Sequence, residues 1–199
     1  MKNGSQWISA PKPRLLDSSY NHSRSEQSIL NNYEPIFDAA NVLRAGKDIF
    51  YLVSDSGNEL GGQWLQSNLG SNYNVHLCRN IYSSVHIDTT LCFLKPGLAL
   101  INPKVNQEYL PEPLKKWKLL ICPKMVEVNY SDIRPIASVW LGMNILMLSP
   151  ELAVVDKHQL PLIKLLEKQG IEVMPILLRH GRTLGGGGHC ITLDKRRKG

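Results

Sequence analysis

DTTLCFLKPGLALI, residues 88–101, is two short apolar runs bent about Lys95-Pro96-Gly97. Apolar strands joined by a Pro-Gly turn read as a β-hairpin. A weak helix candidate follows, LPEPLKKWKL (110–119), interrupted by prolines, and then a strand, LLICP (119–123). The same order occurs on either side. Upstream, AANVLRAGKDIFYLV (39–53) turns at Ala45-Gly46-Lys47 and leads into NELGGQWLQSNLG (58–70) and NVHLC (74–78). In that helix candidate Leu60, Trp64, Leu65 and Leu69 are spaced for one face. Downstream, MNILMLSPELAVV (143–155) turns at Ser149-Pro150. It precedes HQLPLIKLLEKQG (158–170), a helix ended by Gly170, and the strand IEVMPILL (171–178). HCITLD (189–194) reads as half of a fourth hairpin.

The turns fall near residues 46, 96 and 150, a period of 50 to 54 residues. Repeats of that length predict an α/β propeller or solenoid of ββαβ units, since three strands alone cannot bury both faces. Residues 1–34, rich in Ser and Asn, predict an extended arm. Within it QWISAPKPRLLD (6–17) has enough apolar content to lie against another surface.

Composition narrows the class. The 199 residues are 43% hydrophobic and 20% charged, which is globular usage and excludes whole-chain disorder. The longest apolar stretch, Ile136 to Leu148, is too short to span a bilayer and is broken by Ser138, Gly142 and Asn144. The first ten residues lack a signal-peptide core, so a cytoplasmic location is expected. The net charge of +6 is concentrated at the C-terminus. Six basic residues and one acid fall between Arg179 and Gly199, and the rest of the chain is nearly neutral. That is a solvated basic tail with no RNA-binding signature around it, and neither a nucleic-acid nor a membrane partner is expected.

Of four cysteines, Cys78, Cys92 and Cys122 lie in or beside apolar runs and read as core thiols. His76, Cys78, His86 and Cys92 match no paired zinc spacing, and no metal is expected. Cys190 differs, because it closes LGGGGHC (184–190). A glycine run lets backbone approach a nucleophile closely, although a flexible connector has the same pattern. His86-Ile87-Asp88 is the second feature. On a strand from Val85 to Leu94 the imidazole and carboxylate share a face, which is the arrangement of an oriented base and also of an ordinary polar edge. Asp38 in EPIFDAAN and Ser138 before Trp140 read equally as turn residues.

Together these strings resemble the amidinotransferase family. The resemblance rests on FDAANVLRAGKDIF (37–50), HIDTTLCFLKPGLALINP (86–103), WLGMNILML (140–148) and LGGGGHCITLDKRR (184–197). It runs from about Pro11 to the C-terminus. It implies a pentein-type propeller, five ββαβ blades about a pseudo-fivefold axis. Residues 35–199 would supply an incomplete set of C-terminal blades, with the N-terminal part of the family domain absent. It further implies Cys190 as nucleophile, His86 as general acid/base and Asp38 as its acidic partner. Asp88 becomes a carboxylate at the guanidinium site, and Ser138 matches a pocket serine weakly. The implied reaction moves the amidino group of L-arginine to an acceptor amine through an amidino-cysteine, releasing ornithine, with no cofactor. Ser83, Ser84 and Val85 depart from the glycine-acceptor pattern, so the acceptor is open. The alternatives are an arginine deiminase-like hydrolase and an inactive fragment that needs a missing N-terminal segment or self-association.

Overall fold

The computed structural model describes residues 8–24, 28–82, 85–128 and 133–193. Three three-stranded sheets follow one another, each built in the same way. The first contains β1 (Val42–Ala45), β2 (Asp48–Leu52) and, after α1 (Glu59–Leu69), β3 (Asn74–Cys78). The second contains β4 (Leu91–Lys95), β5 (Leu98–Ile101) and, after the single turn α2 (Glu112–Lys115), β6 (Lys118–Ile121). The third contains β7 (Leu146–Ser149), β8 (Leu152–Asp156) and, after α3 (Leu160–Glu167), β9 (Glu172–Ile176). A last helical turn, α4, spans Gly181–Leu184.

In every sheet the first two strands pair antiparallel and the third joins the middle strand in parallel. Gly46 and Gly97 carry the left-handed backbone of the first two hairpin turns, with φ of 63° and 76°. A side chain at either position would be strained. The helix closes the β-strand-to-parallel-strand crossover that a hairpin cannot make. The ββαβ repeat expected from the turn spacing is therefore present. The leading strands β1, β4 and β7 contact one another in series.

Two apolar cores result. One gathers Phe50, Leu52, Cys78, Ile81, Ile87, Leu91, Ile101 and Leu114 between the first two units. The other gathers Leu100, Cys122, Met143, Ile145, Val155, Leu162 and Leu166 between the second and third. The middle strand of the second sheet, β5, is buried along its whole length, because that sheet lies between the two cores.

Four expectations are corrected. Val85 to Leu94 is not one strand. Ile87–Thr89 forms a 3₁₀ turn and the strand starts at Leu91. HCITLD forms no fourth hairpin within the described residues, since His189 to Ile191 are in turns and the chain beyond Leu193 lies outside them. On α1 the buried positions are Gly61 and Gly62, not the Leu60–Trp64–Leu69 stripe. A Cβ on Gly61 would lie 2.2 Å from the Ile36 carbonyl oxygen, so the helix docks backbone-first and its leucines are left half-buried. In the arm, Ile8, Leu15 and Leu16 are exposed rather than packed. Its described part is tied down by polar contacts, the Glu34 carboxylate accepting from the Arg14 and Leu15 N–H groups. Ser83, Ser84 and the basic run 195–198 lie outside the described residues.

Candidate active site

Each unit is entered through a 3₁₀ turn just before its leading strand: Ala39–Asn41, Ile87–Thr89 and Val139–Met143. These turns contact one another in series, the second touching both the others. The residue at the N-terminal cap of each is Asp38, His86 or Ser138. Three positions that are far apart in sequence thus occupy equivalent places in the repeat and converge.

Asp38 divides its carboxylate. Oδ1 accepts from the Ala40 N–H at 3.0 Å and caps the turn, while Oδ2 lies 3.2 Å from His86 Nε2. A carboxylate can only accept, so Nε2 is the donor to Asp38 in this contact. The approach to His86 is fixed by its neighbour, because the Val85 carbonyl accepts from Ser54 Oγ at 2.7 Å and Ser56 Oγ at 2.9 Å. Both hydroxyls are held in turn by the Asn41 side-chain amide. Ser138 spends its hydroxyl on the Trp140 N–H.

Asp88 lies inside the second turn, two residues beyond His86, and its side chain is 7% exposed. Oδ2 accepts from Cys190 Sγ at 3.3 Å and stands 3.6 Å from His189 Nδ1. Burial pushes the Asp88 carboxyl up. Hydrogen bonds from His189 and Cys190, with the charges of His189 and His86, outweigh burial and hold it below the usual carboxylate range. Cys190 is the one exposed cysteine. Partial burial of its sulphur pushes the thiol up; a Gly187 backbone hydrogen bond opposes this and Asp88 adds to it. In Cys78 and Cys92 burial pushes the thiol to about 12, so neither offers a thiolate at neutral pH.

The glycine run has a geometric cause. Asn144, 4% exposed, sits under it. A Cβ on Gly187 would lie 2.5 Å from Asn144 Cβ, so only glycine lets the loop descend onto this residue. Asn144 Oδ1 then accepts the backbone N–H groups of His189 (2.8 Å) and Cys190 (3.0 Å), and Nδ2 lies 3.1 Å from Cys190 Sγ.

An open cavity of about 350 Å³ is lined by His86, Asp88, Ser138 and Cys190, with Tyr82, Val85, Ile136 and Leu141 on its walls. Asp38 stands behind His86. The thiol, the His86 imidazole and the Asp88 carboxylate therefore line one space, although His86 and Cys190 come from different units. No group of His, Cys, Asp and Glu among the described residues is placed to hold a metal ion. Sequence reasoning missed Asn144, His189, Ser54 and Ser56. Asn144 and His189 lie inside strings already singled out, but their partners are 45 or more residues away.

Comparison with known proteins gives a consistent set of relatives. Over 198 residues the chain is 54% identical to inosamine-phosphate amidinotransferase 1 of Streptomyces glaucescens, covering 99% of this chain and 57% of that protein. Over nearly its whole length the chain is similar to amidinotransferases. It is 38% identical over 206 residues to an L-arginine:L-lysine amidinotransferase of Pseudomonas savastanoi pv. phaseolicola, covering 98% of this chain and 56% of that one. Among solved structures it superposes on an inosamine-phosphate amidinotransferase of Streptomyces griseus with a TM-score of 0.93 and 55% identity, covering 98% of this chain and 57% of that chain. The chain thus spans a little over half the length of the relatives it matches. At 12% identity and a TM-score of 0.58, covering 78% of this chain and 55% of that chain, DDAH from Pseudomonas aeruginosa shares the fold alone. No protein-family model matches the chain. No helix among the described residues is long and apolar enough to cross a membrane.

Proposed function

We propose that the chain carries the nucleophile and the acid/base of an amidinotransferase, using L-arginine as donor and a small amine as acceptor. The observation that carries this reading is the convergence of Cys190, Asp88 and the His86–Asp38 pair on one open cavity. A guanidinium carbon is a poor electrophile because its charge is delocalised, and a thiolate is the strongest nucleophile a side chain offers. Carboxylates match the fork of guanidinium N–H groups and hold the carbon over sulphur. Asp88 is the candidate for that contact, and Ser138 on the cavity wall is the candidate for a weaker one.

Cys190 passes its proton to His86, and Sγ attacks the guanidinium carbon to give a tetrahedral adduct. Breaking the bond from that carbon to the δ-nitrogen, with a proton delivered by His86, releases ornithine and leaves an amidino group on sulphur. The acceptor amine then attacks the same carbon, His86 takes its proton, and the carbon–sulphur bond breaks to return the thiolate. One imidazole thus serves as acid and then as base, oriented by Asp38. Similarity to the Pseudomonas L-arginine:L-lysine enzyme supports arginine as donor, and similarity to the Streptomyces enzymes supports an inosamine-phosphate-like acceptor. The same similarity supports reading the three units as blades of a β/α propeller, with residues 1–34 as an arm upon it.

Incubating the chain with arginine and trapping with acid should leave one amidino group on Cys190 by peptide mass spectrometry, with ornithine released in equal amount. Cys190→Ala should give neither. His86→Asn should slow ornithine release by roughly 10²–10⁴-fold. Citrulline in place of ornithine would assign the site to a hydrolase. The absence of both adduct and ornithine would overturn the reading.

A further inference from the structure

The geometry points to Asn144 as a positioning residue for the candidate nucleophile: a single side-chain amide grips the backbone of residues 189 and 190 with its oxygen and donates to the Cys190 sulphur with its nitrogen. This rests on the reading of Cys190 as nucleophile, and it assigns a role to a residue that reading leaves idle.

Three observations carry it. The first is that the amide orientation is fixed. Two backbone N–H donors, at 2.8 and 3.0 Å, converge on one end of the side chain, and only the carbonyl oxygen can accept both. The –NH₂ end must then face Sγ, at 3.1 Å, where it can donate. The second is burial. Asn144 is 4% exposed, and a buried amide left without these partners would carry a desolvation penalty, so the contacts are needed by the fold as well as by the sulphur. The third is the access it requires. Gly187 lies against Asn144 with no room for a Cβ, and Gly188 passes over the Asn144 carbonyl, where an added Cβ would stand 3.2 Å away. The glycine run is thereby explained as the space the clamp occupies.

The chemical consequence follows from the two polar neighbours of the sulphur. Asp88 accepts from Sγ and so holds the proton on it, whereas Asn144 donates and so favours the charged sulphur. The thiol is balanced between an acceptor and a donor. Removing either should move its titration, in opposite directions.

The test is the pH dependence of Cys190 alkylation by iodoacetamide, followed by peptide mass spectrometry, alongside thermal melting. It needs no arginine turnover, so its outcome is separable from that of the transferase assay. Asn144→Asp keeps an oxygen for the two backbone N–H groups but replaces the donor by an acceptor. Its melt should fall, because a second carboxylate is buried beside Asp88, while the alkylation midpoint of the folded protein rises by about one to two pH units. Asn144→Ala, which adds no charge, should raise the midpoint as well and lower the melt. If Asn144→Ala does not fold, Asn144→Ser, which is too short to reach sulphur, replaces it. In arginine turnover Asn144→Asp should lower kcat about tenfold or more with little change in KM. An unshifted midpoint in folded Asn144→Asp would overturn the proposal. So would a shift confined to Asn144→Asp and absent from the neutral variant, because the cause would then be the added charge alone.

Discussion

At the scale of single residues, the state of Cys190 in the empty site is the decisive quantity. Burial and the Asp88 carboxylate raise the thiol, so the thiolate is the minor form at neutral pH and grows as pH rises. Alkylation of Cys190 should therefore accelerate with pH through a range above the ordinary cysteine value. Replacing Asp88 by Asn removes an acceptor and a negative charge, so the alkylation midpoint should fall even as arginine turnover is lost. A nucleophile made more reactive in an enzyme made inactive would separate the two duties of this carboxylate. An unchanged midpoint in Asp88→Asn would show that the 3.3 Å contact does not control the thiol. Arginine itself should act in the same direction as the substitution. On the proposed reading, a guanidinium held by Asp88 would neutralise the charge that keeps the proton on sulphur, which would couple substrate binding to activation of the thiol.

At the scale of elements, the repeat was legible because its punctuation is local. Gly46, Gly97 and Ser149-Pro150 dictate tight turns whatever surrounds them, and the apolar runs on either side have only sheets to enter. The 3₁₀ turn at Ile87–Thr89 was not legible. HIDTTLCFL alternates well enough to read as strand. What bends it is its links to the rest of the unit, with Thr89 and Thr90 hydroxyls on the His86 carbonyl and the Asn102 amide on the Thr89 carbonyl. The docking of α1 through Gly61 and Gly62 was hidden for a related reason, since hydropathy scores side chains and this contact is made by their absence. The candidate site shows the same division. Asp38, His86, Asp88, Ser138 and Cys190 stand out in a family pattern, whereas Asn144 reads as an interruption of an apolar run until the loop that covers it is in place. The glycines of 185–188 then make unequal predictions. Gly187→Ala drives a Cβ into Asn144 and should cost about 1–3 kcal/mol of stability with loss of activity. Gly186→Ala meets nothing nearer than 3.7 Å and should leave the melt almost unchanged. Equal melting temperatures for the two variants would show that the loop does not rest on Asn144 as the geometry requires.

At the scale of the whole molecule, exposed apolar surface points to association. Its accessible surface is 12262 Å². A compact monomer of this mass exposes about 9,400 Å². Part of the excess is the arm, whose Ile8, Leu15 and Leu16 face solvent. Another part surrounds the candidate site. Ile136, Leu184, Ile191 and Leu193 are between 65% and 90% exposed, and Ile136 packs beside Gly185 at the cavity wall. Apolar side chains gathered in this way are normally covered, and an interface of standard size buries about 1,200–2,000 Å² in total. Among the described residues, the leading strand of the middle unit, β4, contacts both β1 and β7. We therefore expect the 199-residue chain to self-associate, with sedimentation that becomes faster as concentration rises. Replacing Ile136, Leu184 and Ile191 together by serine should shift the equilibrium towards monomer without lowering the melting temperature, because none of the three belongs to either core. A chain that sediments as a monomer at every concentration, and melts in one cooperative step, would mean that the three units cover their own end faces.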